Sequence, residues 1–252
     1  MLLKAFWIAM STYSIVPVPQ FKWDEQNVKY SICFFPAVGL LCGGCLALWY
    51  WFCGAFQVGA LLFAAVAACV GLLVSGGIHM DGFMDTVDAL ASHQSMERKL
   101  EILKDSNCGA FAVIYCAVYM LISFGIFTEL FERELVWAVC PMYVLSRALS
   151  GICALNIPSA RKKGMLGCYT QNTKRSRGSA ALAVWALPAA ALMLYLQPSA
   201  VVAMAVIAVW VLVYHRLVMK QFGGVTGDTA GFFLQLCELF CCLALWLGGV
   251  LQ

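Results

Sequence analysis

The chain has 252 residues, 63% hydrophobic and only 12% charged, with a mean hydropathy of +0.85. A soluble domain carries about 25% charged and 45–50% apolar residues, so this composition excludes an ordinary water-soluble globule and indicates an integral membrane protein. The net charge of +3 is too small to argue for a nucleic-acid partner.

Residues 1–19 hold one Lys, a short apolar stretch and Pro17-Val18-Pro19, with no small-residue cleavage pattern. That reads as an interfacial or partly inserted segment rather than a signal peptide. Seven apolar spans follow, at about 31–53, 58–75, 109–127, 135–155, 180–196, 200–218 and 231–251. Each is about long enough to cross a bilayer core near 30 Å thick. The connectors at Gly54–Gln57, Thr128–Glu134 and Gln197–Ser199 are short, whereas 76–108, 156–179 and 219–230 are longer and richer in charge. With the N-terminal segment and the long connectors on one side of the membrane, 14 Lys and Arg lie on that side, counting Arg216 at the adjoining end of its span, with one on the other side and one, Arg147, within a span. Such a bias places the long connectors in the cytoplasm. The expected fold is all-α: a polytopic helical bundle of about seven transmembrane helices, forming one catalytic domain over residues 1–252, without repeats or low-complexity tracts. Most of the 13 cysteines fall inside apolar spans, where free Cys behaves as a small buried hydrophobe. Cys42 and Cys45 form a C-x-x-C with no second pair or His nearby, so neither a metal site nor a redox role is expected of them.

The first long connector reads Gly76-Gly77-Ile78-His79-Met80-Asp81-Gly82-Phe83-Met84-Asp85-Thr86-Val87-Asp88. On a helix the i, i+4, i+7 spacing stacks Asp81, Asp85 and Asp88 along one stripe. Three carboxylates there repel one another unless a cation or protons sit among them. Mg²⁺ takes oxygen ligands and shares its sites with substrate phosphates. The stripe therefore suggests metal-assisted phosphoryl chemistry, with the three aspartates catalytic and metal-binding. Gly82 would let backbone approach a bulky substrate. His79 could hydrogen-bond a phosphate or a carboxylate. Lys104, Asp105 and Ser106 precede the third span and could either meet a phosphate or cap that helix. Arg147, in the fourth span, needs a partner or an aqueous cavity and could contact phosphate or snorkel to the interface. Arg161 opens a basic connector suited to anions, whether ligand or lipid heads. Gly223 to Gly231 offers Gly224, Thr226 and Gly227 as a phosphate nest and Asp228 as a further metal ligand, or else a loop with a helix cap.

Taken in order, Pro17-Val18-Pro19 with Phe34-Phe35-Pro36-Ala37-Val38-Gly39, then Gly76 to Asp88, Lys104 to Phe111, and Gly223 to Gly231 resemble the cobalamin synthase family, the adenosylcobinamide-GDP ribazoletransferases. The blocks extend over nearly the whole chain, and G-G-x-H-x-D-G-x-x-D-x-x-D is the specific one. The resemblance implies a multi-pass enzyme of the bacterial cytoplasmic (inner) membrane acting late in vitamin B12 assembly. It would need Mg²⁺ and would join adenosylcobinamide-GDP to α-ribazole or its 5′-phosphate, releasing GMP, with the lipid bilayer as its surroundings, no nucleic acid, and a homo-oligomer compatible with the sequence. The family often shows a Thr-Arg pair before the first Pro motif, and here no Arg precedes Pro17. Two rivals are an alcohol phosphotransferase using CDP-activated lipids and a transporter. The first lacks here its A-R element after Asp81-Gly82. The second would place its acids near mid-bilayer rather than in a connector.

Overall fold

A computed structural model of the protein describes residues 2–19, 21, 28, 30–105, 107–161, 165–171 and 173–251. Helix α1 (Leu2–Tyr13) precedes a 3₁₀ turn (Ser31–Phe34) that runs into α2 (Phe35–Ala55). Then come α3 (Ala60–Ser75), α4 (Ile78–Ala91), α5 (Met96–Ile102), α6 (Ala110–Glu132), the short α7 (Val136–Val139) and α8 (Met142–Asn156). The chain ends with α9 (Met165–Gln171), α10 (Arg175–Leu196), α11 (Ala200–Phe222) and α12 (Gly227–Val250).

Six stretches are long and apolar enough to cross a membrane: Ser31–Ala55, Ala110–Glu132, Val136–Asn156, Arg175–Leu196, Ala200–Phe222 and Gly227–Val250. They coincide with six of the seven expected spans and make this a multi-pass membrane protein. The remaining span corresponds to α3, whose 16 residues reach about 24 Å, short of the bilayer core. There the chain bends by 95° into α4. The corner is made by Gly76 at φ 64° and Gly77 at φ 85°, in the left-handed region that only glycine enters freely. Because α4 turns away from the crossing direction and carries three carboxylates, we read it as lying outside the membrane-spanning segments.

Helix α8 is the centre of the bundle and is buried along nearly its whole length. It meets α2 at close range, since side chains on Gly39 or Gly43 would collide with the backbone of Tyr143 or Cys140. This is a small-xxx-small contact of the kind that lets membrane helices approach. Helices α6, α10 and α11 instead expose Leu121, Val184, Leu187, Val209 and Leu212, an apolar surface that suits lipid. Helix α1 buries Ala5, Ile8, Ala9 and Met10 against the bundle while Leu2 and Leu3 stay exposed. The N-terminal segment is thus a helix docked on the bundle, and beyond it the Ile15 N–H donates to the Val74 carbonyl at 3.0 Å, beside the α3–α4 corner.

Candidate active site

Helix α4 carries two faces. Met80, Phe83 and Val87 are buried in the main core, while Asp81 is exposed and Asp85 and Asp88 are half-buried. This follows from the sequence period, with apolar residues filling the positions between the acids. The core face lies against α12 at closest backbone range. A Cβ on Gly82 would stand 2.8 Å from the Asp228 carbonyl oxygen, and one on Gly231 would stand 2.8 Å from the His79 carbonyl oxygen. Two facing glycines thus bring the first turn of α12, with Asp228, beside the acidic stripe.

Asp85 feels the crowding. Burial raises its carboxyl to about 6, helped by the charges of Asp81, Asp228 and Asp88. Among the described residues the cation set against this cluster is Arg161, 3.7 Å from Asp228. It is held by a short stretch of extended pairing. The Val225 N–H donates to the Pro158 carbonyl at 2.8 Å and the Ala160 N–H to the Val225 carbonyl at 3.0 Å. The Arg161 guanidinium also donates to the Leu100 carbonyl at 2.7 Å, tying in α5. Three separate connectors therefore converge on one end of the bundle, as expected from their common side. Among the described residues no three His, Cys, Asp or Glu groups stand close enough to cage a metal alone. Mg²⁺ needs less, since it is usually held by one or two carboxylates together with water and substrate phosphates. The unrelieved repulsion on Asp85 fits such a cation.

Comparison with known proteins decides between the rival readings. The family model for cobalamin-5-phosphate synthase matches residues 5–246. This chain belongs to that family. An adenosylcobinamide-GDP ribazoletransferase of Lachnoclostridium phytofermentans is 38% identical over 243 residues, covering 96% of this chain and 93% of its own. One from Clostridium perfringens is 30% identical over 239 residues, covering 93% and 94%, and one from Acinetobacter baumannii is 29% identical over 239 residues, covering 92% and 93%. No solved structure matches the chain.

In this cobalamin-5-phosphate synthase relative, several residues assigned to ligand from the sequence have other partners. Both oxygens of Asp88 accept backbone N–H groups, from Gly109 at 2.5 Å and Ala112 at 2.9 Å. Asp88 thereby caps α6 from α4, a role that the sequence offered, as the alternative to a phosphate contact, to Asp105 or Ser106. Gly109 is the residue that permits it, because a Cβ there would lie 2.5 Å from the Asp88 carboxylate. Asp105 instead accepts from Asn107, and Lys104 and Asp105 are exposed on the loop before α6; Ser106 lies outside the described residues.

Gly82 admits the backbone of α12 rather than a substrate. The phosphate nest is spent internally. The Gly224 N–H donates to the Val218 carbonyl, the Val225 N–H to Pro158 and the Thr226 N–H to Thr229 Oγ1 at 2.8 Å. Thr226 is the cap of α12, its hydroxyl accepting from the Thr229 N–H at 3.2 Å. Gly227 alone of that loop's named residues stays exposed, with no heavy atom within 4 Å of a Cβ placed on it.

Arg147 is fully buried and pairs with Glu238 of α12, while donating to the Tyr143 carbonyl at 3.0 Å and Ser146 Oγ at 3.2 Å. It thus has an internal carboxylate where the sequence reading expected a phosphate. Glu238 had a visible signal, being the only acid inside the last apolar span, where a charge requires a partner. His79 is also buried, against Phe35 and Tyr13.

Proposed function

We propose that this protein is a membrane-bound transferase that joins adenosylcobinamide-GDP to α-ribazole or its 5′-phosphate, giving adenosylcobalamin or its 5′-phosphate and GMP. The observation that carries the mechanism is the convergence of Asp81, Asp85 and Asp228 with Arg161 where the three long connectors meet. A magnesium ion bound there, held by Asp81 and Asp228 and shared with the substrate diphosphate, would neutralise charge on the leaving phosphate.

The residues of the chain do the rest. Asp85 accepts the proton of the attacking ribose hydroxyl, a task its raised affinity for protons suits near neutral pH. The hydroxyl oxygen bonds to the phosphorus nearer the corrinoid, the P–O–P bridge breaks, and GMP departs with that electron pair. Arg161, steered by Asp228 and the Leu100 carbonyl, offers its fork to phosphate oxygens as their charge grows. Asp88 fixes the start of α6 against α4, so that the acidic face is presented in one arrangement. The bias of basic residues supports a cytoplasmic orientation of this face, in the inner membrane of a bacterium.

Protons and Mg²⁺ compete for the cluster. Asp85 is protonated in the metal-free protein as pH falls through about 6, and protonated acids do not hold cations. Calorimetric titration should therefore show Mg²⁺ affinity weakening from pH 7.5 to pH 5, with a smaller change in Asp85→Asn. Offering the purified protein adenosylcobinamide-GDP and a CDP-activated lipid as competing donors tests the substrate. Release of GMP without CMP is expected; CMP release would move the protein to the lipid phosphotransferases.

A further inference from the structure

Directly behind the acids lies a cavity of about 60 Å³ that the chemistry above leaves unused. Its walls include Tyr13, Ile32, Phe35, His79 and Ser150, and Gly227 stands at the α12 end. His79 is 94% buried by its 6% exposure, yet its Nε2 has no hydrogen-bond partner among the described residues. A buried polar atom left unpaired is costly, so this nitrogen points to a ligand group.

The lining decides which group. Among the described residues no Lys or Arg lines the cavity, which argues against a phosphate, since a buried anion needs a paired charge. The walls are aromatic and apolar. The Tyr13 and His79 rings lie 6.1 Å apart at 22°, and Phe35 approaches His79 at 5.3 Å. Ser150 already leans on the Ala230 carbonyl at 3.5 Å. Guanine, with several donors and acceptors on its edge, would leave most of them unsatisfied here. A planar heteroaromatic ring with one free nitrogen would not. A neutral imidazole has one N–H that it can donate to such a nitrogen.

From this we infer that the cavity receives the edge of the α-ribazole base, with His79 Nε2 donating to its free ring nitrogen and Tyr13 and Phe35 flanking the ring. The inference rests on the proposed reaction and adds the seat of the acceptor nucleoside. The placement is consistent with attack. Gly227, in the cavity wall, adjoins Asp228, so a ribose attached to a base in this cavity emerges beside that acid. It also gives α1 a purpose, because Tyr13 at its end closes one wall.

The test compares His79→Phe, which keeps a ring but loses the nitrogen, with His79→Gln, which restores a donor. For His79→Phe, the KM for α-ribazole should rise about tenfold, the size of one lost hydrogen bond in a buried setting. The KM for the GDP-activated corrinoid should move by less than about twofold on the same scale, and His79→Gln should recover part of the loss. In parallel, benzimidazole should inhibit competitively against α-ribazole and about tenfold better than indene, its analogue without ring nitrogen, and that difference should vanish in His79→Phe. Equal rises in both KM values, or a benzimidazole–indene difference that survives the substitution, would overturn the inference. Should the wild-type protein form no product at all, the proposed reaction fails. The cavity is then read separately from quenching of benzimidazole fluorescence by wild-type protein but not by His79→Phe.

Discussion

Replacing Asp85 with Asn should leave membrane insertion and the packing of α4 on α12 intact while lowering turnover by about 10²–10⁴-fold, the range that a positioned proton acceptor contributes. The side chain is half-buried and nearly isosteric with Asn, and none of the hydrogen bonds given above depends on its charge. Removing that charge relieves repulsion with Asp81, Asp88 and Asp228, so the variant should be no less stable than the parent. Stability retained with activity lost is the signature of a group that acts in chemistry. GMP release at near-parental rate from purified Asp85→Asn would remove Asp85 from the mechanism. A parallel loss of thermal stability would instead make it structural.

The second large effect is expected at Arg147. Its guanidinium answers the buried carboxylate of Glu238, and Ser146 Oγ donates to that carboxylate at 2.9 Å. Arg147→Met leaves Glu238 buried without its cation, which should destabilise the bundle by about 3–5 kcal/mol. The double variant Arg147→Met with Glu238→Gln removes both charges and should recover most of the loss, because a buried ion pair replaced as a unit is often neutral. Thermal unfolding in detergent, followed by near-ultraviolet circular dichroism, reads both variants. If Arg147 served substrate instead, the single variant would raise KM at unchanged stability and the double variant would recover nothing.

Arg147 also illustrates what a sequence of this kind conveys. The apolar spans were plain from composition, since a bilayer demands long runs of one chemistry. The spacing of Asp81, Asp85 and Asp88 was enough to put them on one helical face. Their meeting with Asp228 and Arg161 followed from the side on which basic residues gather. What a face meets is set by packing between distant segments, and periodicity does not carry that. Asp88 faces the start of α6 and serves as its cap, although it shares a stripe with Asp85. Thr226 and Gly224 carry the residue types of a phosphate loop, and their groups close the start of α12 and the end of α11. The span expected at 58–75 ends where α3 ends, at Ser75, but the 95° corner that Gly76 and Gly77 make there is not carried by composition. His79 was visible as a motif residue, but its burial against Tyr13 and Phe35 depends on where α1 docks, and residues 1–19 carry no strong signal of that.

The most direct test of the whole account is mass analysis of the purified protein incubated with adenosylcobinamide-GDP and α-ribazole 5′-phosphate, with Mg²⁺ and again with excess chelator. The expected result is adenosylcobalamin 5′-phosphate with equimolar GMP in the first reaction and neither in the second. Product formed equally well without divalent cation, or no product in either, would contradict a metal-assisted transfer at Asp81, Asp85 and Asp228.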